Sequence, residues 1–305
     1  MHEGWFCEDT THGSVRIDRF DPGRPHEGKV LGIVQAHADD MPLCSGGLVA
    51  KLIAEGYRAF LIQTTNDEKC GAGTVADAIK SNEVDVAALA NCLGIEDVFN
   101  FGYRNHRQDE NSMLEQRCRL IFLFRHLKVD TVMSFHPWAR WEENPDHYIT
   151  GQLVESACWM AGGAKDYPEQ VQAGIGPHGV KDKYYWAMRP GSPYNHVTDI
   201  GPFIEKKIAA MATNKSQGPA GSTGRKLRAR LDREGLRLAA LGEDDETADR
   251  EYIRLFGLDE NARMGAEYGL EYAEFHYYFP PGGTFPQLNR AQRVEDHIKK
   301  NAVRI

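Results

Sequence analysis

The sequence predicts an α/β protein with a Rossmann-like, mostly parallel sheet, helices on both faces of that sheet, and a C-terminal helical elaboration. Three observations support this fold class. Short apolar runs alternate with segments in which apolar residues recur three and four positions apart, the spacing of an amphipathic helix. Gly56 and Gly94 stand where two of those helices are expected to end. Strands and helices that alternate in this order are typical of a parallel sheet covered by helices.

The elements follow in order along the first half of the chain. Apolar runs predict four buried strands, at 30–36, 58–65, 97–102 and 130–135. Helical spacing of the apolar residues predicts three helices between them, at 46–56, 75–94 and 113–128.

The pattern changes after about residue 180. An isolated strand is predicted at 183–189, followed by helices, and the Gly-, Ser- and Pro-rich stretch at 214–226 predicts a mobile surface loop. We interpret residues 1–305 as one domain, with a core at about 29–213 and a helical elaboration at 227–305.

Composition excludes several classes of protein. The 305 residues carry 36 Lys and Arg against 44 Asp and Glu, a net charge of −8, which opposes binding to nucleic acid or to an anionic membrane. No apolar window approaches the roughly 20 residues of a membrane span, and the N-terminal residues lack the apolar core of a signal peptide. Six cysteines without a CxxC pair fit reduced thiols. We therefore expect a cytoplasmic protein without a cysteine zinc site.

The first predicted strand runs directly into "AHADD", residues 36–40, which contains His37, Asp39 and Asp40. In a parallel α/β sheet, ligands bind in the crevice beyond the carboxyl ends of the strands, where these side chains are expected. The following Gly46 and Gly47 do not indicate a nucleotide site, because the stretch has neither GxGxxG nor GxxxxGK[ST]. Two carboxylates would also repel phosphate.

A second polar cluster, "NPDH" at 144–147, follows the fourth predicted strand. Imidazole and carboxylate suit Zn²⁺, and a catalytic zinc site uses three protein ligands. His37 and Asp40 are three residues apart across a turn and could share one ion, with Asp146 or His147 as a third ligand. Each residue also has a structural explanation, since the aspartates could cap helices and a histidine at a strand end is commonly hydrogen-bonded structure.

The two clusters resemble the paired signature of the PIG-L/LmbE family of zinc-dependent deacetylases, written [AP]HPDD and HPDH. Further segments are similar to that family along the chain. They are "LIQTTNDE", "KSNEVDVAALANCLG" as its RxxE helix, the D…K…SQ segment at 197–217 and the YAExF-like "EYAEFHY" at 271–277. The resemblance covers roughly residues 29–277.

The resemblance implies a role for each matching residue. It makes His37, Asp40 and His147 the ligands of one Zn²⁺ per chain, with another divalent metal as an alternative. Asp39 would be the general base, and Asp146 would tune the charge of the site. Metal-bound water has a pKa near 7, and a neighbouring carboxylate that is not a ligand can accept its proton.

Four positions depart from the family pattern. Ala38 replaces a proline, and Asn214 replaces a histidine before SQ. Lys80 stands where the RxxE register places an arginine that binds substrate; it keeps the charge but loses the bidentate fork. Asn144 replaces the first histidine of HPDH, so it could donate a hydrogen bond to an oxyanion but could not deliver a proton. We identify His136 as the nearest histidine that could replace it.

The predicted function is that of a metal-dependent hydrolase that removes an acetyl group from an N-acetylated amino sugar or glycoconjugate. Trp141, on a predicted loop at the crevice, is a candidate platform for the sugar ring, although ordinary packing is the alternative. Two other functions stay open, an amidase of a larger sugar-thiol conjugate or acylated natural product, and a non-catalytic binding protein of the same fold. The expected partner is a small molecule, and the sequence leaves homo-oligomerisation undecided.

Overall fold

The computed structural model describes residues 15–187, 189, 191–217, 221–281 and 290–303. Eight strands in this part of the chain form one sheet. They are β1 (Arg16–Asp18), β2 (Val30–Gln35), β3 (Arg58–Thr65), β4 (Asp97–Tyr103), β5 (Thr131–Phe135), β6 (Asp182–Trp186), β7 (His196–Asp199) and β8 (Ala273–Phe279).

Ten α-helices lie in the same described ranges. They are α1 (Asp40–Ala54), α2 (Val75–Leu93), α3 (Met113–Leu127), α4 (Pro145–Ala161), α5 (Pro168–Gln172), α6 (Ile204–Thr213), α7 (Thr223–Arg233), α8 (Asp245–Phe256), α9 (Asp259–Glu267) and α10 (Arg290–Asn301). Among these helices, none combines the length and the apolar composition that crossing a membrane requires.

The order of the strands places a crossover at the centre of the sheet. The order is β1-β7-β8-β6-β5-β2-β3-β4. The chain runs from β2 through β3 to β4 on one side, and then returns to place β5 on the other side of β2. All neighbours pair in parallel except β8, which is antiparallel to β6 and to β7. The sheet confirms the predicted mostly parallel α/β fold and puts its switch point between β2 and β5, where such folds bind ligands.

Alternate residues of the central strand β2 pack against different helix layers. Leu31 and Ile33 join the apolar cluster that includes residues of α1 and α2. Val30 and Val34 join the cluster that includes residues of α3 and α4. Because successive side chains of a strand point to opposite faces, helices cover both faces of the sheet, as the sequence predicts.

The C-terminal region is not wholly helical, contrary to the predicted elaboration over 227–305. It contains α7 to α10, but it also supplies β8, which lies inside the sheet between β6 and β7. Glu274 and His276 are both buried on this strand. Two buried polar residues at alternate positions hide the apolar pattern by which a strand is recognised, and β1 and β7 are only three and four residues long.

The loop predicted at 214–226 is shorter and more tightly packed than expected. α7 begins at Thr223, and residues 218–220 lie outside the described residues. Gly221 is buried, and a side-chain carbon there would lie 1.3 Å from the carbonyl oxygen of Asn214. The carboxylate of Asp85 accepts the backbone N–H groups of Lys215 and Ser216 at 2.8 and 2.7 Å. The described ends of this segment are therefore fixed to the body of the protein.

Candidate metal centre

The turn that follows β2 is closed by Asp40. Its Oδ2 atom accepts the backbone N–H groups of Ala36 and His37 at 3.0 and 2.6 Å. Asp39 occupies the N-cap position of α1, yet its side chain makes no capping hydrogen bond. An aspartate at this position normally stabilises the helix by capping it, so the local fold leaves the Asp39 carboxylate available for another role.

The first turn of α4 supplies the second half of the cluster. Asn144 is the N-cap, and its Oδ1 atom accepts the N–H of Asp146 at 3.0 Å. Pro145 stands at the start of the helix, where its fixed φ and missing N–H are tolerated. This local structure places Asp146 and His147 at the carboxyl edge of the sheet, facing the turn after β2.

Three residues from these two turns meet in one buried group. His37, Asp40 and His147 each offer a ligand atom, and these atoms lie within 4.8 Å of one another. His37 Nδ1 is 3.1 Å from His147 Nε2, and His147 Nε2 is 3.3 Å from Asp40 Oδ1. The structure thus brings together the three residues that the family resemblance assigns to the metal.

Each histidine of the group also has a carboxylate at its outer nitrogen. Asp146 Oδ2 is 3.0 Å from His37 Nε2, and Glu142 Oε1 is 3.2 Å from His147 Nδ1. Arg189 in turn binds Glu142 with two hydrogen bonds of 3.1 and 2.8 Å. Histidines that bind metals commonly donate their second nitrogen to a carboxylate, which fixes the orientation of the ring.

The charges within the cluster shift the pKa of each member in the metal-free chain. Burial alone would lower the pKa of His147, but the carboxylates of Asp40 and Glu142 outweigh it and raise that pKa to about 9. The same opposition, with Asp40 and Asp146 as the carboxylates, raises the pKa of His37 well above its usual value. Burial would raise the pKa of Asp40, yet the two histidines hold it well below its usual range.

These features fit a divalent cation. Two imidazoles and one carboxylate match the ligands of a catalytic zinc site with an open fourth position. His37 Nδ1 and His147 Nε2 face each other, and the carboxylates around the two imidazoles favour a positive charge between these nitrogens. Burial and the negative charge of Asp40 raise the pKa of the adjacent Asp39 to about 6.

His136 does not reach this cluster. Its ring lies edge-on to Tyr185 and Tyr277, with centroids 5.7 and 5.9 Å away. The preceding residue, Phe135, stacks on the ring of His147 at 4.3 Å between centroids. Because side chains alternate along a strand, the residue after Phe135 turns to the other face, and the interpretation of His136 as the replacement for residue 144 is not supported.

Lys80 is exposed on α2, and the contacts described for the cluster do not include it. The buried polar residues of this helix are Asn82 and Asp85, which have the same three-residue spacing but lie two positions further along. Asn82 accepts a hydrogen bond from Gln217 Nε2 at 3.1 Å. The helix therefore presents Asn82 and Asp85, rather than Lys80 and Glu83, to the 214–217 segment.

The two tryptophans of the loop after β5 are largely exposed. Trp138 is 71% exposed and Trp141 is 81% exposed. Trp141 has a φ of +63° and directly precedes Glu142. Its indole is accessible near the cluster, so its role as a platform for a sugar ring stays a prediction.

Three residues near the cluster were not predicted from the sequence. Glu142 lies against His147 Nδ1, Arg189 binds Glu142, and His106 donates its backbone N–H to Asp146 Oδ2 at 2.5 Å. The acidic pair before "NPDH" was a signal for Glu142, since a carboxylate two residues before the N-cap can reach the first turn of the helix. Arg189 and His106 come from separate loops and belong to no motif.

A cavity of about 700 Å³ lies beside the cluster at the same edge of the sheet. Cys44 of α1, Trp186 at the end of β6 and Phe275 of β8 contribute to its walls. Arg189 joins the two regions, because it lines the cavity and also binds Glu142. A ligand at the candidate metal centre could therefore extend into a space of drug-sized volume.

The fold and this cluster define an α/β protein with a candidate metal centre at the switch point of its sheet. Residues 33–158 match the profile of the PIG-L family, described as GlcNAc-PI de-N-acetylase. The matched segment contains both the turn after β2 and the first turn of α4. The resemblance to the PIG-L/LmbE family that the sequence predicts is thereby confirmed.

Individual relatives agree with this result. Diacetylchitobiose deacetylase of Thermococcus kodakarensis is 25% identical over 198 residues, which cover 63% of this chain and 70% of that protein. The solved N,N'-diacetylchitobiose deacetylase of Pyrococcus horikoshii has a TM-score of 0.67 at 20% identity, over 90% of each chain. The 4-carboxy-2-hydroxymuconate hydratase of Pseudomonas putida KT2440 has a TM-score of 0.60 at 19% identity, over 83% of this chain and 97% of that one. These two structures share the fold, and a fold alone does not determine the reaction.

Proposed function

We propose that this chain is a metal-dependent hydrolase that removes the acetyl group from an N-acetylated amino sugar or a related glycoconjugate. The observation that carries the proposal is the buried group of His37, Asp40 and His147 inside the segment that matches a de-N-acetylase family. The diacetylchitobiose deacetylase that is 25% identical to this chain supports this substrate class.

In this proposal His37, Asp40 and His147 hold one divalent cation, with Zn²⁺ as the expected metal. When bound, such a cation acidifies water and polarises the oxygen of an acyl group. Asp146 and Glu142 orient the two imidazoles from behind, at 3.0 and 3.2 Å. His147 and Arg189 outweigh burial and lower the pKa of Glu142 to about 2, so Glu142 is ionised at neutral pH.

Asp39 is the proposed general base. It is next to a ligand in sequence, makes no capping hydrogen bond and has a pKa raised to about 6 in the metal-free chain. A carboxylate oxygen of Asp39 can accept a proton from the attacking water and then hold that proton close to the departing amine. Asn144 Nδ2 lies 3.3 Å from His147 Nε2, the nitrogen that would bind the ion, so the amide could donate a hydrogen bond to an oxyanion beside the ion, but an amide cannot carry a proton.

The test is release of free amine and acetate from a panel of N-acetylated mono- and disaccharides by metal-replete protein. We expect chelation to abolish the activity and added Zn²⁺ to restore it. The Asp39→Asn variant should lose most of the activity and still bind the metal. Asp109→Asn, an exposed aspartate outside the cluster, is the matched control and should remain active. Loss of activity in both variants, or unchanged activity after complete metal removal, would contradict the proposal.

A second candidate is an amidase of a larger amide, such as a sugar-thiol conjugate or an acylated natural product. The cavity of about 700 Å³ beside the cluster favours this candidate, because it could accept a group attached to the sugar. Comparing an N-acetyl sugar with the same sugar carrying a bulky substituent separates the two, since the amidase should cleave the larger compound much faster. A non-catalytic binding protein is disfavoured by the retention of Asp39 beside a complete set of ligands.

A further inference from the structure

His106 lies against the cluster although no motif includes it. It follows β4 and has a φ of +60°, in the left-handed region that few non-glycine residues adopt, although asparagine, aspartate and histidine are enriched there. The hydrogen bond from its N–H to Asp146 Oδ2 holds it in place at 2.5 Å. Its ring centroid is 6.1 Å from that of His37, and its side chain is exposed at the mouth of the site.

His106 completes a second group of metal-binding atoms. His37, His106 and Asp146 each offer one ligand atom, and these atoms lie within 4.8 Å of one another. His37 belongs to both groups, and it contributes a different ring nitrogen to each. His37 Nε2 is 3.0 Å from Asp146 Oδ2, whereas His37 Nδ1 faces His147 at 3.1 Å. The two groups therefore meet at opposite nitrogens of one imidazole.

Asn105 lies beside the same carboxylate. It is fully buried, and its Nδ2 atom lies 3.4 Å from Asp146 Oδ2. Its Oδ1 atom is buried and has no hydrogen-bond partner among the residues the structure describes. A buried carbonyl oxygen without a donor is costly, so the packing around Asp146 leaves one polar atom without its partner.

We propose that His37, His106 and Asp146 form a second position for a divalent transition-metal ion such as Zn²⁺. The proposal concerns metal binding alone and does not depend on which amide the chain hydrolyses. If a first ion were bound at Nδ1, the remaining proton of His37 would lie on Nε2, in a hydrogen bond to Asp146. Binding of the second ion forms a bond to Nε2, breaks the N–H bond and releases that proton to solvent.

This exchange makes the second position the weaker of the two. Removing the second proton of an imidazole is costly, and Asp146 Oδ2 already accepts the backbone N–H of His106. The second ion also separates Asp146 from His37, which loses the hydrogen bond that orients its ring. If the proposed hydrolase function is correct, excess metal should therefore lower activity, and this consequence rests on that function.

The direct test measures bound Zn²⁺ per chain by equilibrium dialysis over increasing free Zn²⁺, with released protons followed by an indicator. We expect one tight ion, a second ion bound at least 10-fold more weakly, and release of a proton with the second. His106→Asn should lose the second ion and keep the first, because asparagine tolerates positive φ but lacks the imidazole. His126→Asn is the matched control, since His126 is an exposed histidine on α3, outside the cluster, and it should bind two ions.

His147→Ala provides a second variant that separates the two positions. This variant should lose the tightly bound ion and keep a weakly bound one. The double variant with His147→Ala and His106→Asn should bind neither ion. Circular dichroism of each variant verifies the fold before metal is added. A wild-type chain that never binds more than one ion, or a His106→Asn variant that binds two with unchanged affinity, would refute the second position, whatever the outcome of the amide hydrolysis assay.

Discussion

The pKa of His147 predicts that metal binding to the first position depends steeply on pH. Asp40 and Glu142 raise that pKa to about 9 in the metal-free chain. Because a metal binds the neutral imidazole, the ion must displace a proton at any pH below this value. At pH 7 the difference is about two pH units, which corresponds to about 2.7 kcal/mol or about 100-fold in apparent affinity. Protonation of His37, whose pKa is also raised, adds to the effect.

The assay is competition with a chelator of known pH dependence, between pH 6.5 and 9. We expect the apparent affinity for Zn²⁺ to rise by about tenfold or more per pH unit up to about pH 8, and less steeply as the pH approaches 9. The His136→Gln variant should follow the wild-type curve, since His136 faces Tyr185 and Tyr277 instead of the cluster. A change smaller than about threefold between pH 7 and 9 would refute the assigned protonation of His147.

Thermal unfolding gives a second measure with a defined sign. A histidine whose pKa is higher in the folded chain than the unfolded value near 6.5 stabilises the fold fully below that value, and this stability is lost as pH rises towards 9. The metal-free chain should therefore lose the contribution of His147 between pH 6.5 and 9. The increase in Tm caused by saturating Zn²⁺ should grow over the same range, because metal replaces the proton that is lost.

Three further predictions concern single side chains. Asp39→Asn should retain its metal and lose about 10²-fold or more in kcat, while Asn144→Ala at equal metal occupancy should lose less; the reverse order would overturn their assigned roles. Glu142→Gln should weaken metal binding by about 10- to 100-fold, because it removes the charge behind His147, whereas exposed Glu143→Gln should leave it unchanged in the same dialysis assay. Lys80→Met should leave kcat/KM within about twofold of wild type, since surface substitutions have small effects; a drop of tenfold or more would return Lys80 to the substrate site.

The central part of the fold could be predicted because its strands are buried on both faces. β2, β3 and β5 read as continuous apolar runs, and the structure places them within one or two residues of the predicted bounds. β8 could not be predicted in this way, because Glu274 and His276 face a buried polar environment. Glu274 accepts hydrogen bonds from Lys207 and from the backbone of α1, and such partners are invisible in the sequence of the strand itself.

The candidate metal residues could be predicted because local sequence determines where they lie. Asp40 is fixed by two backbone N–H groups within its own turn, and His147 by the first turn of its own helix. Arg189 and His106 contribute through tertiary contacts from separate loops, so no spacing in the sequence predicts them. The register of α2 shows the same limit, since only burial distinguishes Asn82 and Asp85 from their exposed neighbours.

Residue 144 shows how stability and chemistry divide between the two turns of the site. Asn144 caps α4, a contribution of about 1 kcal/mol to helix stability. Asp39 occupies the equivalent N-cap position of α1, but its side chain makes no capping hydrogen bond and does not stabilise the helix in this way. The carboxylate is therefore available for another role, and its raised pKa suits proton transfer. In the proposed hydrolysis, the asparagine at 144 cannot carry a proton, and His136 faces away from the cluster. We therefore expect activity to depend on Asp39 more than on any residue of the α4 turn other than the proposed ligand His147.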